Sequence, residues 1–250
     1  MIATAIVALA ARQLRALSTS GAVAATLVGA MAVTAGWSWG ILLIAYFVAA
    51  SALSKLGERR KAALAGSIIE KDDQRDVRQV LANGGVYALS ALGYLLWHSP
   101  QWYALGIGAL AASAADTWAT EIGILAGRDP VSIISGRPVP AGTSGGVSLA
   151  GMLATVGGAL FIAEGAALAR WPVPFTAVAL GGLAGAVADS LLGATLQTRR
   201  WCDACAKSTE RSVHDCGSPT RRTGGVRGLD NDAVNAVCSG VGAFVTLLLS

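Results

Sequence analysis

Charged residues are scarce in this chain of 250 residues: they make up 14% of it, against 54% hydrophobic residues. With a mean hydropathy of +0.56, this composition excludes a soluble domain and indicates a polytopic membrane protein. The first apolar stretch also lacks a preceding basic region, because Arg12 and Arg15 follow it, so we expect no cleavable signal peptide. The pI near 9.1 does not predict nucleic-acid binding, since Lys and Arg in a membrane protein report mainly topology.

Long apolar stretches fill most of the sequence. They cover about residues 2–17, 21–36, 39–54, 79–97, 101–127, 146–169, 175–197 and 231–249. The first two are short for a full crossing, so residues 1–36 form either one span or two. We predict an all-α fold, a polytopic transmembrane helix bundle of about seven to eight helices, with residues 1–250 as a single integral membrane domain.

Polar loops alternate with short turns along the chain. If the loops 55–78, 128–145 and 198–230 share a face, then of the 19 Lys and Arg residues only Arg170 lies opposite. The positive-inside rule makes the loop side cytoplasmic. Tryptophans near the short turns are typical of an interfacial aromatic belt. They are Trp37, Trp39, Trp97, Trp102 and Trp171.

Four carboxylates interrupt or border the apolar segments: Asp116, Glu121, Asp189 and Asp232. A charge at membrane depth costs roughly 2.5–3.5 kcal/mol on insertion scales, so such groups face a bundle interior or a wet cavity. Converging carboxylates repel one another, and a divalent cation relieves that repulsion. Mg²⁺ binds one or two carboxylates together with substrate phosphates, so we predict a magnesium site and a phosphate-bearing substrate. A structural polar tie between helices is the alternative.

Asp189 also belongs to a row of small residues with a spacing of four, which places them on one helix face. The row is Gly181, Gly185, Asp189, Gly193 and Gln197. It indicates either a close helix crossing or a smooth surface for a ligand or metal.

Basic side chains at the ends of the spans would complement a phosphate, although topology alone can also explain them. The candidates are Lys55, Arg59, Arg75 and Arg78. Ser144, Gly145 and Gly146 lead into a helix, where backbone N–H groups can bind an anion. Such a Gly/Ser-rich turn is weak evidence by itself and is not a Walker motif.

Cysteine is rare, with four residues, but three of them share the predicted cytoplasmic loop 198–230 with a histidine. Cys202, Cys205, His214 and Cys216 form a CxxC plus HxC pattern that fits structural zinc, and a set of unligated loop thiols is the alternative. Four ligands would close the coordination shell, which disfavours a catalytic ion. Cys238 lies in an apolar helix and is expected in the core.

Several motifs resemble one known family. They include Asp116-Thr-Trp-Ala-Thr-Glu-Ile-Gly123, Thr143-Ser-Gly-Gly-Val-Ser148, Asp189-Ser-Leu-Leu-Gly193 and Leu229-Asp-Asn-Asp-Ala-Val-Asn235. In order and over nearly the whole chain, the sequence resembles the integral membrane family of transmembrane protein 19 and the phytyl-phosphate kinases. This family is distantly similar to dolichol kinase and phosphatidate cytidylyltransferase.

The resemblance implies a CTP-dependent kinase, or one using another nucleoside triphosphate, that converts an isoprenyl monophosphate such as phytyl or geranylgeranyl phosphate to the diphosphate. The four acids would hold Mg²⁺, and the basic residues would bind phosphates. Further nucleotide or acceptor contacts would come from Asn83, Thr117, Ser190, Asn231 and Asn235.

Other functions stay open at this point. A cytidylyltransferase acting on a lipid phosphate would use the same sites, and a transporter of a phosphorylated small molecule is a further alternative. The side of the bundle with the short turns carries almost no polar groups, which favours an enzyme in the lipid bilayer that opens to the cytoplasm. Whether the chain forms a homo-oligomer also stays open.

Overall fold

The computed structural model describes residues 2–65, 68 and 74–250; Met1 and residues 66, 67 and 69–73, which belong to the predicted loop 55–78, lie outside them. The predicted all-α polytopic fold is confirmed, because a helix occupies each predicted apolar stretch. The helices are α1 Ile2–Gln13, α2 Thr19–Ala35, α3 Trp37–Lys55, α4 Glu58–Ala65, α5 Val77–Trp97, α6 Gln101–Leu125, α7 Leu149–Leu168, α8 Phe175–Thr195 and α9 Asn231–Leu248.

Among the described helices, five are long and apolar enough to cross a membrane, namely α3, α5, α7, α8 and α9. The 25-residue α6 carries Asp116 and Glu121. Residues 14–18 separate α1 from α2, so residues 2–35 form two helices rather than one. The chain is therefore an integral membrane helix bundle.

Short β-strands occur in or next to two of the predicted loops, 128–145 and 198–230. They are β1 Val131–Ser132, β2 Gly146–Val147, β3 Arg199–Cys202, β4 Lys207–Thr209 and β5 Arg221–Gly224. The first two pair with each other, and the last three form an antiparallel sheet in the order β4-β3-β5. The segment 198–230 is thus a small ordered sheet, which the helix-based prediction did not include.

Side-chain caps fix where the helices begin on the loop side. Asp76 accepts a hydrogen bond from the Gln79 N–H, and the Gln79 side-chain oxygen accepts one from the Asp76 N–H, which completes a capping box for α5. Ser148 and Asp230 cap α7 and α9 in the same way, each accepting from the third residue after it, at 3.1 Å. These caps hold the polar segments close to the bundle.

Bare glycine backbone lets α8 approach its neighbours. A Cβ added at Gly185 would lie 2.4 Å from the Ala112 Cβ, and one at Gly181 would lie 2.0 Å from the Thr246 hydroxyl. At these two positions the row of small residues serves a close crossing with α6 and α9, not a ligand surface. The crossing also sets the distance between α6 and α8, which carry Asp116 and Asp189.

Aromatic rings fill the bundle near the short turns, which we call the short-turn face. Trp39 is fully buried, with ring centroids 4.5 Å from Trp171 and 5.2 Å from Tyr87. The structure differs from the expected aromatic belt in two residues: Trp39 and Trp171 pack in the core, whereas Trp37 and Trp97 are exposed as a belt requires. The opposite end, where residues 128–145 and 198–230 lie, is the loop face.

Candidate functional site

Asp116 and Asp189 meet between α6 and α8, close enough for each carboxyl group to act on the other. Within the described residues neither carboxylate has a salt bridge, and the buried Asp189 Oδ1 has no hydrogen-bond partner. Two adjoining carboxylates need a shared proton or a cation. Their geometry and the orphaned oxygen fit a hard divalent ion such as Mg²⁺.

Three further polar groups surround this acid pair. The Tyr46 hydroxyl of α3 lies close to Thr117 and within the range of the charges of Asp116 and Arg75. The Arg75 guanidinium is held by the hydroxyls of Ser51 and Ser54, at 3.0 and 3.2 Å. The structure thus gathers Arg75, Thr117 and the acid pair, all of which the sequence analysis singled out.

Glu121 contacts other residues than the acid pair does. One of its oxygens accepts from the Ser54 hydroxyl at 2.5 Å, and the other pairs with Lys61. Lys61 is 8% exposed and also donates to the carbonyls of Leu53 and Ser54. Magnesium binding by Glu121 stays a prediction, and it would require Lys61 to give up this contact.

Arg78 joins α5 to the start of α9 through two acids. Its guanidinium lies 2.5 Å from Asp230 Oδ2 and 3.5 Å from Asp232 Oδ2. Asp232 is buried, so this pair neutralises a carboxylate that the sequence assigned to magnesium. Phosphate binding by Arg78 and metal binding by Asp232 are therefore linked, because either would rearrange the same ion pair.

The glycine turn before α7 packs against the end of α8. Gly145 has a positive φ of 77°, and a Cβ there would lie 2.4 Å from that of Ala194. Its neighbour Ser144 donates a hydrogen bond to Glu210, whose charge acts on Asp189. The predicted anion turn, with Gly146 in β2, therefore lies beside the acid pair.

Other predicted residues stand apart or make local contacts. Lys55 donates to the Leu14 carbonyl, and Arg59 is exposed. The Asn83 side chain donates to the Gln79 carbonyl at 3.1 Å. Three more are only partly buried: Ser190, Asn231 and Asn235.

A polar cleft of about 310 Å³ opens at the loop face. Its lining includes Gln197, Thr198, Arg200, Glu210, Arg222, Arg227, Gly228, Asp230 and Asn231. Arg200 of β3 is the direct cross-strand partner of Arg222 of β5. Like charges in such a position are destabilising unless an anion lies between or over them. The sequence analysis missed these arginines, although their density in residues 199–227 was a visible signal.

An apolar groove runs along α1, α2, α3 and α5. Its volume is about 90 Å³, and its lining includes the exposed side chains of Val7 and Ile44. The polar residues of its lining include Tyr46, Arg75 and Asn83. The groove is thus mostly apolar, and its lining residues Tyr46 and Arg75 connect it to the surroundings of the acid pair.

The four loop ligand residues come together in the sheet of residues 199–224. Their ligand atoms (the sulfurs of Cys202, Cys205 and Cys216 and a ring nitrogen of His214) all lie within 4.8 Å of one another. Hydrogen bonds from Ser218 lower the pKa of the Cys216 thiol to about 6. The hydrogen bond with Cys216 raises the pKa of Cys205 to about 11. The cluster is chemically able to bind a soft divalent ion.

Known proteins support the grouping of these motifs. Protein PGR of Arabidopsis thaliana is 31% identical over 281 residues, covering 100% of this chain and 94% of PGR. The membrane protein MJ0933 of Methanocaldococcus jannaschii is 31% identical over 78% of the chain and 80% of its own length. The chloroplastic protein VTE6 of Arabidopsis thaliana is 27% identical over 93% of the chain and 65% of VTE6. No solved structure matches.

The model of one protein family, described as integral membrane protein DUF92, matches residues 2–243. The match spans both acid motifs and the start of α9. Together with the relatives, it confirms the family that the Asp116 and Asp189 motifs indicated. This chain belongs to the DUF92 integral membrane family.

Proposed function

We propose that this protein is a kinase that transfers a phosphoryl group from a nucleoside triphosphate, CTP by resemblance, to an isoprenyl monophosphate. The observation that supports this proposal most directly is the position of the acid pair, Asp116 and Asp189, between two cavities of different chemistry. Tyr46 and Arg75 link the pair to the apolar groove, and Glu210 links it to the arginine cleft. An amphiphilic acceptor and a polyanionic donor would meet at this point.

The groove suits an isoprenyl chain. Its walls are mostly apolar and include the exposed Val7 and Ile44, which would face lipid, so most of a long chain would remain in the bilayer. The acceptor phosphate would then reach Arg75, whose guanidinium is already oriented by Ser51 and Ser54. Arginine binds phosphate well because its planar N–H groups match two oxygens at once.

The cleft suits a triphosphate. Arg200, Arg222 and Arg227 supply three positive charges against Glu210 and Asp230. A bound polyphosphate would relieve the repulsion between the paired Arg200 and Arg222. Asn231 in the lining agrees with its predicted role in nucleotide or acceptor positioning.

The chemistry follows from these charges. An anionic oxygen of the acceptor monophosphate attacks the terminal phosphorus of the nucleotide, whose bond to the bridging oxygen breaks, leaving a nucleoside diphosphate. No general base is needed because the acceptor is already ionised. Asp116 and Asp189 would hold Mg²⁺, which neutralises charge in phosphoryl transfer when bound. Arg75 would hold the acceptor in line.

Labelled nucleotides test the reaction. The full chain in lipid nanodiscs would receive geranylgeranyl phosphate, Mg²⁺ and CTP labelled at either the α- or the γ-phosphorus. We expect only the γ-label to enter the lipid, as a prenyl diphosphate. Transfer of the α-label would instead show the cytidylyltransferase, and transfer of neither from CTP or ATP would overturn the proposal.

The acid pair is tested by charge removal. Asp116→Asn and Asp189→Asn should each lower kcat at least about 100-fold, since metal stabilisation is worth several kcal/mol. Glu164→Gln, at an exposed carboxylate of α7, is the matched control and should keep full turnover. Normal turnover in a folded Asp116→Asn protein would remove the assignment of the acid pair.

The two cavities make separate kinetic predictions. Arg200→Ala should raise the KM for CTP by about 10-fold and leave the KM for the lipid phosphate unchanged. Arg75→Ala should do the reverse, because each arginine would hold one substrate; 10-fold corresponds to a charge-assisted contact of about 1.4 kcal/mol. Arg128→Ala, at an exposed arginine, serves as the control. Equal effects on both constants would contradict the division of the site.

A further inference from the structure

We propose that Cys202, Cys205, His214 and Cys216 bind one structural zinc ion. Zn–S bonds of about 2.3 Å in a tetrahedron separate two sulfurs by about 3.8 Å, and a sulfur from a nitrogen by about 3.5 Å. The Cys202 and Cys216 sulfurs lie 3.6 Å apart, and His214 Nδ1 lies 3.4 Å from the Cys216 sulfur. These two distances match tetrahedral coordination, and all four ligand atoms lie within 4.8 Å of one another.

Two tight turns present the ligands in pairs. The strands β3 and β4 pair Cys202 with Lys207, and the turn between them carries Cys205 and the left-handed Ala206. The second turn is closed by a 2.8 Å hydrogen bond from the Gly217 N–H to the His214 carbonyl. Because both turns are held by backbone hydrogen bonds, the ligand positions do not depend on long flexible side chains.

Other fates for these side chains fit less well. A disulfide needs sulfurs about 2.05 Å apart, whereas the 3.6 Å separation of the Cys202 and Cys216 sulfurs is that of ligands sharing an ion. Four protein ligands leave no open position for substrate or water, so the ion is structural. The Cys₃His set is one of the usual structural zinc sets.

The zinc ligands and several residues of the arginine cleft belong to the same sheet and its connecting loops. Arg200 lies two residues before Cys202 on β3. Arg222 of β5 is the cross-strand partner of Arg200. Glu210 lies one residue after β4 and also lines the cleft. Zinc would therefore fix one wall of the cleft; this consequence, unlike the zinc site itself, rests on the proposed function.

Metal analysis tests the site without any activity assay. The full chain, purified in detergent under reducing conditions, should contain one zinc per chain by mass spectrometry of the metal. Exchange with Co²⁺ should produce visible d–d bands and near-ultraviolet thiolate charge-transfer absorption. Cys205→Ser and His214→Ala should lose the metal, whereas Cys238→Ser, at the buried thiol of α9, should retain it.

The outcomes separate the zinc site from the kinase. A reduced, folded wild-type protein with no zinc and no cobalt spectrum would overturn the site, as would bound iron or a Cys202–Cys216 disulfide. The wild-type cobalt spectrum decides the question even where a variant fails to fold. Zinc without kinase activity would overturn the proposed function alone. Zinc loss that leaves the KM for CTP unchanged would overturn the link to the cleft.

Discussion

At the scale of single residues, the main surprise is a buried lysine. Lys61 follows the third span and belongs to a basic cluster that topology alone would explain. Its ammonium instead contacts Glu121 and two carbonyls at the end of α3. The sequence shows both charges, but their pairing depends on how α4 folds back against α6. This geometry is non-local and has no signature in the spacing.

Removing that cation should destabilise the protein. Lys61→Met would leave Glu121 charged with a side chain only 21% exposed, so we expect unfolding to become easier by about 2–4 kcal/mol. Thermal unfolding in detergent measures this, and the exposed Lys207→Met is the matched control. A double-mutant cycle with Glu121→Gln isolates the pair. If Lys61→Met shifts the Mg²⁺ requirement but not stability, Glu121 is a metal ligand instead.

The acids of the candidate site could be predicted from the sequence, whereas the pairing of the cleft arginines could not. A carboxylate such as Asp116 contrasts sharply with the apolar residues around it, so its cost in a membrane draws attention. Arg200 and Arg222 lie in a polar segment where arginine is ordinary. Only the strand pairing of β3 with β5 brings them face to face. The same holds for Glu210, whose charge acts on Asp189 from the loop 198–230.

At the scale of the elements, hydropathy predicted the positions of the helices closely. The boundaries agree because capping residues such as Asp76 and Ser148 stand where the apolar periodicity begins. Hydropathy gave no sign of α4 or the small sheet, since both are polar and depend on tertiary contacts. The row of small residues in α8 left two explanations open, and the crossing with α6 and α9 accounts for Gly181 and Gly185.

That crossing should tolerate no added methyl group. Gly185→Ala would place a Cβ 2.4 Å from the Ala112 Cβ and 2.7 Å from the Cys238 carbonyl, so we expect a loss of about 1–3 kcal/mol from overpacking. Gly240→Ala in α9 is the control, because a Cβ there has nothing within 4 Å. Thermal unfolding of the two variants compares them. Equal stability would mean that α8 can shift outward without cost.

At the scale of the whole molecule, the structure has two unlike ends. Trp39, Trp171 and their neighbouring rings seal the short-turn face, while ion pairs and the small sheet gather at the loop face. Helix alternation in the sequence predicted this separation correctly. It did not predict that two of the five tryptophans near the short turns, Trp39 and Trp171, would be core, since hydropathy cannot tell a ring facing lipid from one facing another ring.

The same asymmetry yields a prediction of orientation. The positive-inside rule predicts that the loop face is cytoplasmic, and on that prediction the proposed kinase would draw CTP from the cell interior. Cysteines introduced at exposed positions, Ser135→Cys in the loop 128–145 and Gln101→Cys at the start of α6, report opposite faces. In intact cells a membrane-impermeant maleimide should label Gln101→Cys and spare Ser135→Cys until the cells are opened. The reverse pattern would place the arginine cleft outside the cell, away from nucleotide, and would count against the kinase as well as the orientation.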